Sequence, residues 1–189
     1  AQFNGETAKV IQDWFRNLKF VSGLNDTSYR GYTISLFNND VIRKSEILKF
    51  ISNIDLDIEN IKTEKVDRSK VNFPDELPEE IKTFLLKSPG DIYIINTLHK
   101  KFDKNGNIVE KVNFDFETKE SEGTKKLFFL SGPVFDVLRN GRILFVDEME
   151  ARMHPLITCE FIRLFNSINT NPKRAQLIFT THDTNLLNK

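Results

Sequence analysis

Two acidic residues, Asp147 and Glu148, follow directly on the apolar run Ile143-Leu144-Phe145-Val146. A short continuous apolar run reads as a strand of a buried parallel sheet, and ligands gather at the carboxyl ends of such strands. An aspartate there can hold Mg2+, usually through water, beside nucleotide phosphates. A glutamate next to it can orient or deprotonate an attacking water. Two solvated charges at a strand end would read the same way. A second apolar run, Leu177-Ile178-Phe179, ends in Thr180-Thr181-His182-Asp183. His182 would lie beside the same crevice, able to donate a hydrogen bond to a γ-phosphate. The alternative is a surface histidine in a helix-capping turn, with Thr181 or Asp183 as the cap. The third group is Ser121-Glu122-Gly123-Thr124, opening a helical pattern. Backbone N–H groups and a hydroxyl at a helix start bind anions, although an ordinary Ser/Thr cap uses the same residues. The two strand ends, separated by one helix, are more specific together than either is alone.

The elements that must position these groups follow from periodicity. A helix is predicted over residues 124–139, with Leu127, Phe128, Leu130, Val134, Phe135 and Leu138 as its apolar positions and Gly141 as its stop. Strands are predicted at 142–146 and 175–179, with a helix at 155–167 between them, giving an α/β segment with a parallel sheet. Upstream, residues 6–20 read as one amphipathic helix whose stripe of Val10, Ile11, Trp14, Phe15 and Leu18 is expected to face the core. Residues 21–37 are turn-rich, and 39–52 form a second helix. Residues 53–65 read as an exposed strand or weak helix, followed by a short helix at 79–87 and a turn at Pro89-Gly90. Segments 91–102 and 107–118 form a hairpin through Asp103-Lys104-Asn105-Gly106. Asn-Gly is favoured where both central turn residues take positive φ. A boundary near residue 120 is expected to separate an α+β region, 1–120, from an α/β core, 121–189.

Composition narrows the class. The 189 residues are 39% hydrophobic with 17 phenylalanines, enough for an aromatic-rich core. Lys plus Arg and Asp plus Glu both number 27, so no global basic field favours nucleic acid. The single cysteine, Cys159, excludes an intramolecular disulfide and points to a reducing cytoplasm. It is expected in the core, and the three histidines are too far apart in sequence for a metal site. No apolar run approaches the ~18 residues of a membrane span.

Ser121-Glu122-Gly123-Thr124, the run Ile143 to Pro155 (Ile-Leu-Phe-Val-Asp-Glu-Met-Glu-Ala-Arg-Met-His-Pro) and Gln176 to Asp183 resemble the second half of an ABC-type ATPase head. More narrowly, the chain is similar to bacterial AAA-type ATP-binding proteins of the abortive-infection and OLD-like group, relatives of RecF-type and SMC-type heads. The likeness covers residues 121–187, with a weaker likeness at Ala1–Phe15. It implies the carboxy-terminal part of a P-loop NTPase head, with an α+β insertion containing the hairpin, using ATP and Mg2+. By that resemblance Asp147 is the Walker B aspartate on Mg2+, Glu148 the catalytic glutamate and His182 the switch histidine. Ser121, Glu122, Gly123 and Thr124 form the signature loop, which meets the nucleotide of the opposite subunit. Ala151, Arg152, Met153 and His154 occupy the D-loop at the interface of a homodimer. Glu120 stands where leucine is usual, and Glu122 and Thr124 replace Gly and Gln, a departure that weakens a transporter reading. The resemblance also implies phage defence with an effector such as a nuclease or toxin. A DNA-repair head would bind DNA instead. In a non-catalytic interaction domain, Asp147, Glu148 and His182 would be relics.

None of the eight glycines begins the phosphate-binding pattern G-x-x-x-x-G-K-[ST]. The chain is therefore expected to be an internal fragment that holds ATP weakly. The strand at 143–146 is expected to be an open sheet edge that invites pairing with another chain.

Overall fold

Helix α1 (Glu6–Arg16) is amphipathic yet buries none of its residues. Val10, Ile11, Trp14 and Phe15 are all exposed, contrary to the core-facing stripe expected of them. The helix also stops four residues early. Asn17 caps it, and Leu18–Ser22 leaves as strand β1. These observations come from a computed structural model that describes residues 5–54, 57–67, 78–80, 82, 91–184 and 186.

The turn-rich stretch after β1 is instead helix α2 (Thr27–Asn39). Its Gly, Ser and Thr residues have poor helix propensity. Tyr29, Thr33, Ile34 and Phe37, however, fall on one buried stripe, and packing overrides propensity. Helix α3 (Val41–Asn53) is capped by the Asp40 side chain, which accepts from the backbone N–H groups of Ile42 and Arg43, both at 3.0 Å.

Strands β2 (Ile58–Val66), β3 (Ile92–Phe102) and β4 (Ile108–Asp115) form an antiparallel sheet in the order β2-β3-β4. Residues 58–66 thus resolve to strand, with Ile58 and Ile61 buried. The hairpin between β3 and β4 forms as expected, but only Gly106 takes positive φ, at 82°. Asp103 organises the loop, accepting from the N–H groups of Asn105 and Asn107 at 2.8 Å each. Asp115 then caps a helical turn, α4 (Phe116–Lys119), so Phe116 leaves the strand alternation and is fully buried. Of the expected helix at 79–87, Glu79, Glu80 and Lys82 are helical. The rest of it and the Pro89-Gly90 turn lie outside the described residues.

Helix α5 (Glu122–Asn140) is buried along most of its length, and Gly141 ends it at φ 65°. Pro133 sits inside it and cannot supply the N–H that would reach the carbonyl of Phe129. The hydroxyl of Thr33, from α2, donates to that carbonyl at 2.5 Å instead. Gly132 makes room for this contact, because a Cβ there would lie 2.1 Å from Thr33 Oγ1. Strand β5 (Ile143–Asp147), helix α6 (Pro155–Asn166) and strand β6 (Gln176–Phe179) complete the fold.

β5 is the centre of a three-stranded parallel sheet ordered β1-β5-β6. The register runs from Leu18 opposite Ile143 to Ser22 opposite Asp147 on one side, and from Ile143 opposite Gln176 to Val146 opposite Phe179 on the other. The open edge expected at 143–146 is therefore filled by β1, which takes Leu18 to Phe20 from the helix expected over 6–20 and Val21 and Ser22 from the turn-rich stretch. Among the described residues, β6 pairs only with β5, and Ile178 is 42% exposed. Contacts divide the chain into one unit of Ala1–Leu56 with Ser121–Lys189 and another of Asp57–Glu120. The second unit ends at Glu120, and the first resumes at Ser121. Within the first unit, α2 and α3 pack on α5 and β1 pairs with β5. No helix among the described residues is long and apolar enough to cross a membrane.

Candidate functional site

The apolar residues Ile143, Leu144 and Val146 bury β5 and bring Asp147 to its carboxyl end. The chain then turns sharply, with Glu148 in the left-handed region at φ 49°. A non-glycine residue held there stores strain that its surroundings must offset. Gly23, just past β1, donates its N–H to the carbonyl of Asp147 at 2.6 Å. A Cβ on Gly23 would lie 1.9 Å from the carbonyl oxygen of Glu148, so only glycine allows the two turns to approach.

Thr180, one residue beyond β6, holds the same turn from the other side. Its hydroxyl accepts from the Glu148 N–H at 2.8 Å and donates to Asp147 Oδ1 at 2.6 Å. Its carbonyl accepts from the Met149 N–H at 3.1 Å. The next residues are fixed by Glu150, whose Oε1 accepts from the His182 N–H at 2.6 Å. Burial works to raise the Glu150 carboxyl, but the hydrogen bonds it receives outweigh this and hold it below the usual carboxylate range. His182 Nε2 lies 3.9 Å from Glu148 Oε1, and the imidazole is 86% exposed. Asp147, Glu148 and His182 thus converge at one sheet end, as their spacing suggested.

The second group gathers where α5 begins. Ser121 is the N-cap, its Oγ accepting from the Thr124 N–H at 3.1 Å, and Thr124 is buried. Arg152 takes φ 61° and reaches Glu122 Oε2 at 3.3 Å and the Leu24 carbonyl at 2.7 Å. Lys125 first, and then Arg152, hold the Glu122 carboxyl below its usual range. The Cβ position of Gly123 would lie 3.2 Å from the Arg152 carbonyl oxygen, so the segments 121–124 and 151–154 are neighbours. Met153 is buried, and His154 caps α6, its Nδ1 accepting from the Leu156 N–H at 3.3 Å.

Lys126 links the two groups. It is fully buried, and Nζ donates to the carbonyls of Met149 at 3.0 Å and Ala151 at 2.5 Å, with Glu148 O at 3.5 Å. Burial, with a smaller push from Arg152, lowers its pKa to about 8. Sequence reading assigned no role to Lys126, Thr180, Glu150 or Gly23. The one available signal was Lys126 itself, a cation on the apolar stripe it shares with Leu130, Val134 and Val137. Cys159 is buried, as expected of a core residue.

Residues 5–188 match the family model described as AAA domain, putative AbiEii toxin, Type IV TA system. The chain belongs to that family. Comparison with curated proteins gave no significant match. Membership makes this an AAA-type domain, and its mixed α/β build with a parallel sheet is consistent with a P-loop-like architecture. It supports an ATPase-like role of the abortive-infection kind, with use of a nucleotide and Mg2+.

Proposed function

We propose that this domain forms the metal- and water-handling side of an ATP-hydrolysing site in an abortive-infection ATPase. The observation that carries the reading is the convergence of Asp147, Glu148 and His182 at the carboxyl end of one parallel sheet, with Glu148 and His182 3.9 Å apart.

The donor set fits Mg2+. That ion prefers one or two carboxylates together with water and substrate phosphates over an all-protein cage. Among the described residues no group of three or more His, Cys, Asp or Glu could enclose a metal, while Asp147 and the Thr180 hydroxyl offer oxygen donors side by side. Bound Mg2+ would neutralise charge developing on the phosphates. Asp147 would hold it, oriented by Thr180. Glu148 would take a proton from, or align, the attacking water. His182, exposed beside it, would donate to the γ-phosphate. In this reading a loop outside these 189 residues cradles the phosphates, and two heads associate around ATP. Ser121–Thr124 would meet the nucleotide of the other head, Ala151–His154 would line the interface, and a nuclease or toxin effector would receive the signal.

The test is ATP binding and turnover by the intact protein beside Glu148→Gln. We expect kcat to fall about 100-fold or more with ATP affinity retained, in line with loss of a general base. Wild-type turnover in the variant would remove Glu148 from the chemistry. Absence of nucleotide binding in the intact protein would leave an interaction module.

A further inference from the structure

We propose that Lys126 is a positioning residue, pinning the backbone of residues 148–151 to the N-terminal turns of α5 so that Glu148 and the segment 121–124 move as one body. The inference deepens the ATPase reading and rests on it for the consequence in turnover.

The geometry is specific. An ammonium has three donors, and three carbonyls of one loop, those of Glu148, Met149 and Ala151, surround this one at 3.5, 3.0 and 2.5 Å. The side chain is fully buried. Packing alone does not explain a lysine here. A methionine of similar length would fill the volume without the desolvation cost of a charge. What a methionine cannot do is satisfy the carbonyls of Met149 and Ala151, which would then be left unpaired. The turn so held contains two left-handed non-glycine residues, Glu148 at 49° and Arg152 at 61°. Such a turn relaxes unless it is held from several sides. Gly23 and Thr180 hold its first residues, and Lys126 holds the rest. Arg152 adds a second tie to the helix start through Glu122 at 3.3 Å. A shift at residues 121–124 is thereby passed to Glu148 through one buried cation.

Two readouts test this with Lys126→Met and Lys126→Arg. In hydrogen exchange on this chain without nucleotide, Lys126→Met should speed exchange at Met149, Ala151 and Met153 at least tenfold. Protection in β1 and β5 should be retained. In the intact protein the same change should lower kcat on the order of 100-fold, the scale of a misplaced catalytic group, with the KM for ATP little changed. Lys126→Arg, which keeps the donors, should recover part of both. Unchanged exchange in the folded variant would overturn the pin. A loosened loop with normal kcat would overturn the positioning role. If Lys126→Met does not fold, Lys126→Gln, which keeps two donors, takes its place with the same criteria. An intact wild-type protein without ATP turnover would sink the ATPase reading, and the exchange result would still decide whether Lys126 fixes the loop.

Discussion

Thr33 and Pro133 should be energetically coupled, because one repairs what the other removes. Pro133 has no N–H to donate to the Phe129 carbonyl, and Thr33 Oγ1 donates to it at 2.5 Å in a fully buried setting. Thr33→Val keeps the shape and deletes the donor. Loss of this buried hydrogen bond should cost about 1–3 kcal/mol. With Pro133→Ala in place, residue 133 regains an N–H that can reach Phe129, and the same Thr33→Val should cost under about 0.5 kcal/mol. The coupling energy of the cycle is then about 1–2 kcal/mol, within the range seen for residues in direct contact. The assay is urea unfolding followed by far-ultraviolet circular dichroism, comparing midpoints at constant m. If Thr33→Val costs the same in both backgrounds to within about 0.5 kcal/mol, the two sites are additive and the repair argument is wrong.

Further outcomes follow from the same packing. Gly23→Ala would place a Cβ 1.9 Å from Glu148 O and 2.7 Å from Asp147 O, both backbone atoms that cannot rotate away. It should destabilise by about 1–3 kcal/mol and weaken Mg2+-dependent ATP binding by the intact protein; unchanged values for both would show that the turns are not in contact. Gly141→Ala, at φ 65° and with a Cβ 2.9 Å from Lys173 O, should cost about 1–2 kcal/mol. Gly31→Ala, in a helix with open space, should be neutral or stabilising by up to about 1 kcal/mol, and a reversed order in unfolding midpoints would contradict the backbone assignment. Lys126, at about 8 in the folded chain against the ordinary lysine value of 10.5, binds fewer protons in the folded than in the unfolded chain between those values. Stability should therefore rise with pH through that window, stay flat below it, and lose this slope in Lys126→Met, as denaturation at pH 7, 8.5 and 10 would show.

What the sequence determined is local. Continuous apolar runs specified β5 and β6. The Asp-Glu and Thr-Thr-His-Asp endings put Asp147, Glu148 and His182 at one sheet end, and Asp103 to Asn107 marked a hairpin. These signals survive because a strand end fixes the position of the next residue whatever surrounds it. The neighbours of β5 were not legible, because pairing Leu18 with Ile143 joins positions far apart in the chain, and the period of α1 ran on into Leu18. Nor was α2 legible, since its helix rests on burial of Tyr29, Thr33, Ile34 and Phe37 against α5 rather than on propensity. Tertiary structure alone decided that Thr180, Gly23, Glu150 and Lys126 hold the site. Each acts through hydrogen bonds or close approach between segments far apart in the chain. A backbone carbonyl has no residue type of its own, so a lysine that serves three of them leaves no pattern in the sequence beyond a charge where an apolar residue was due.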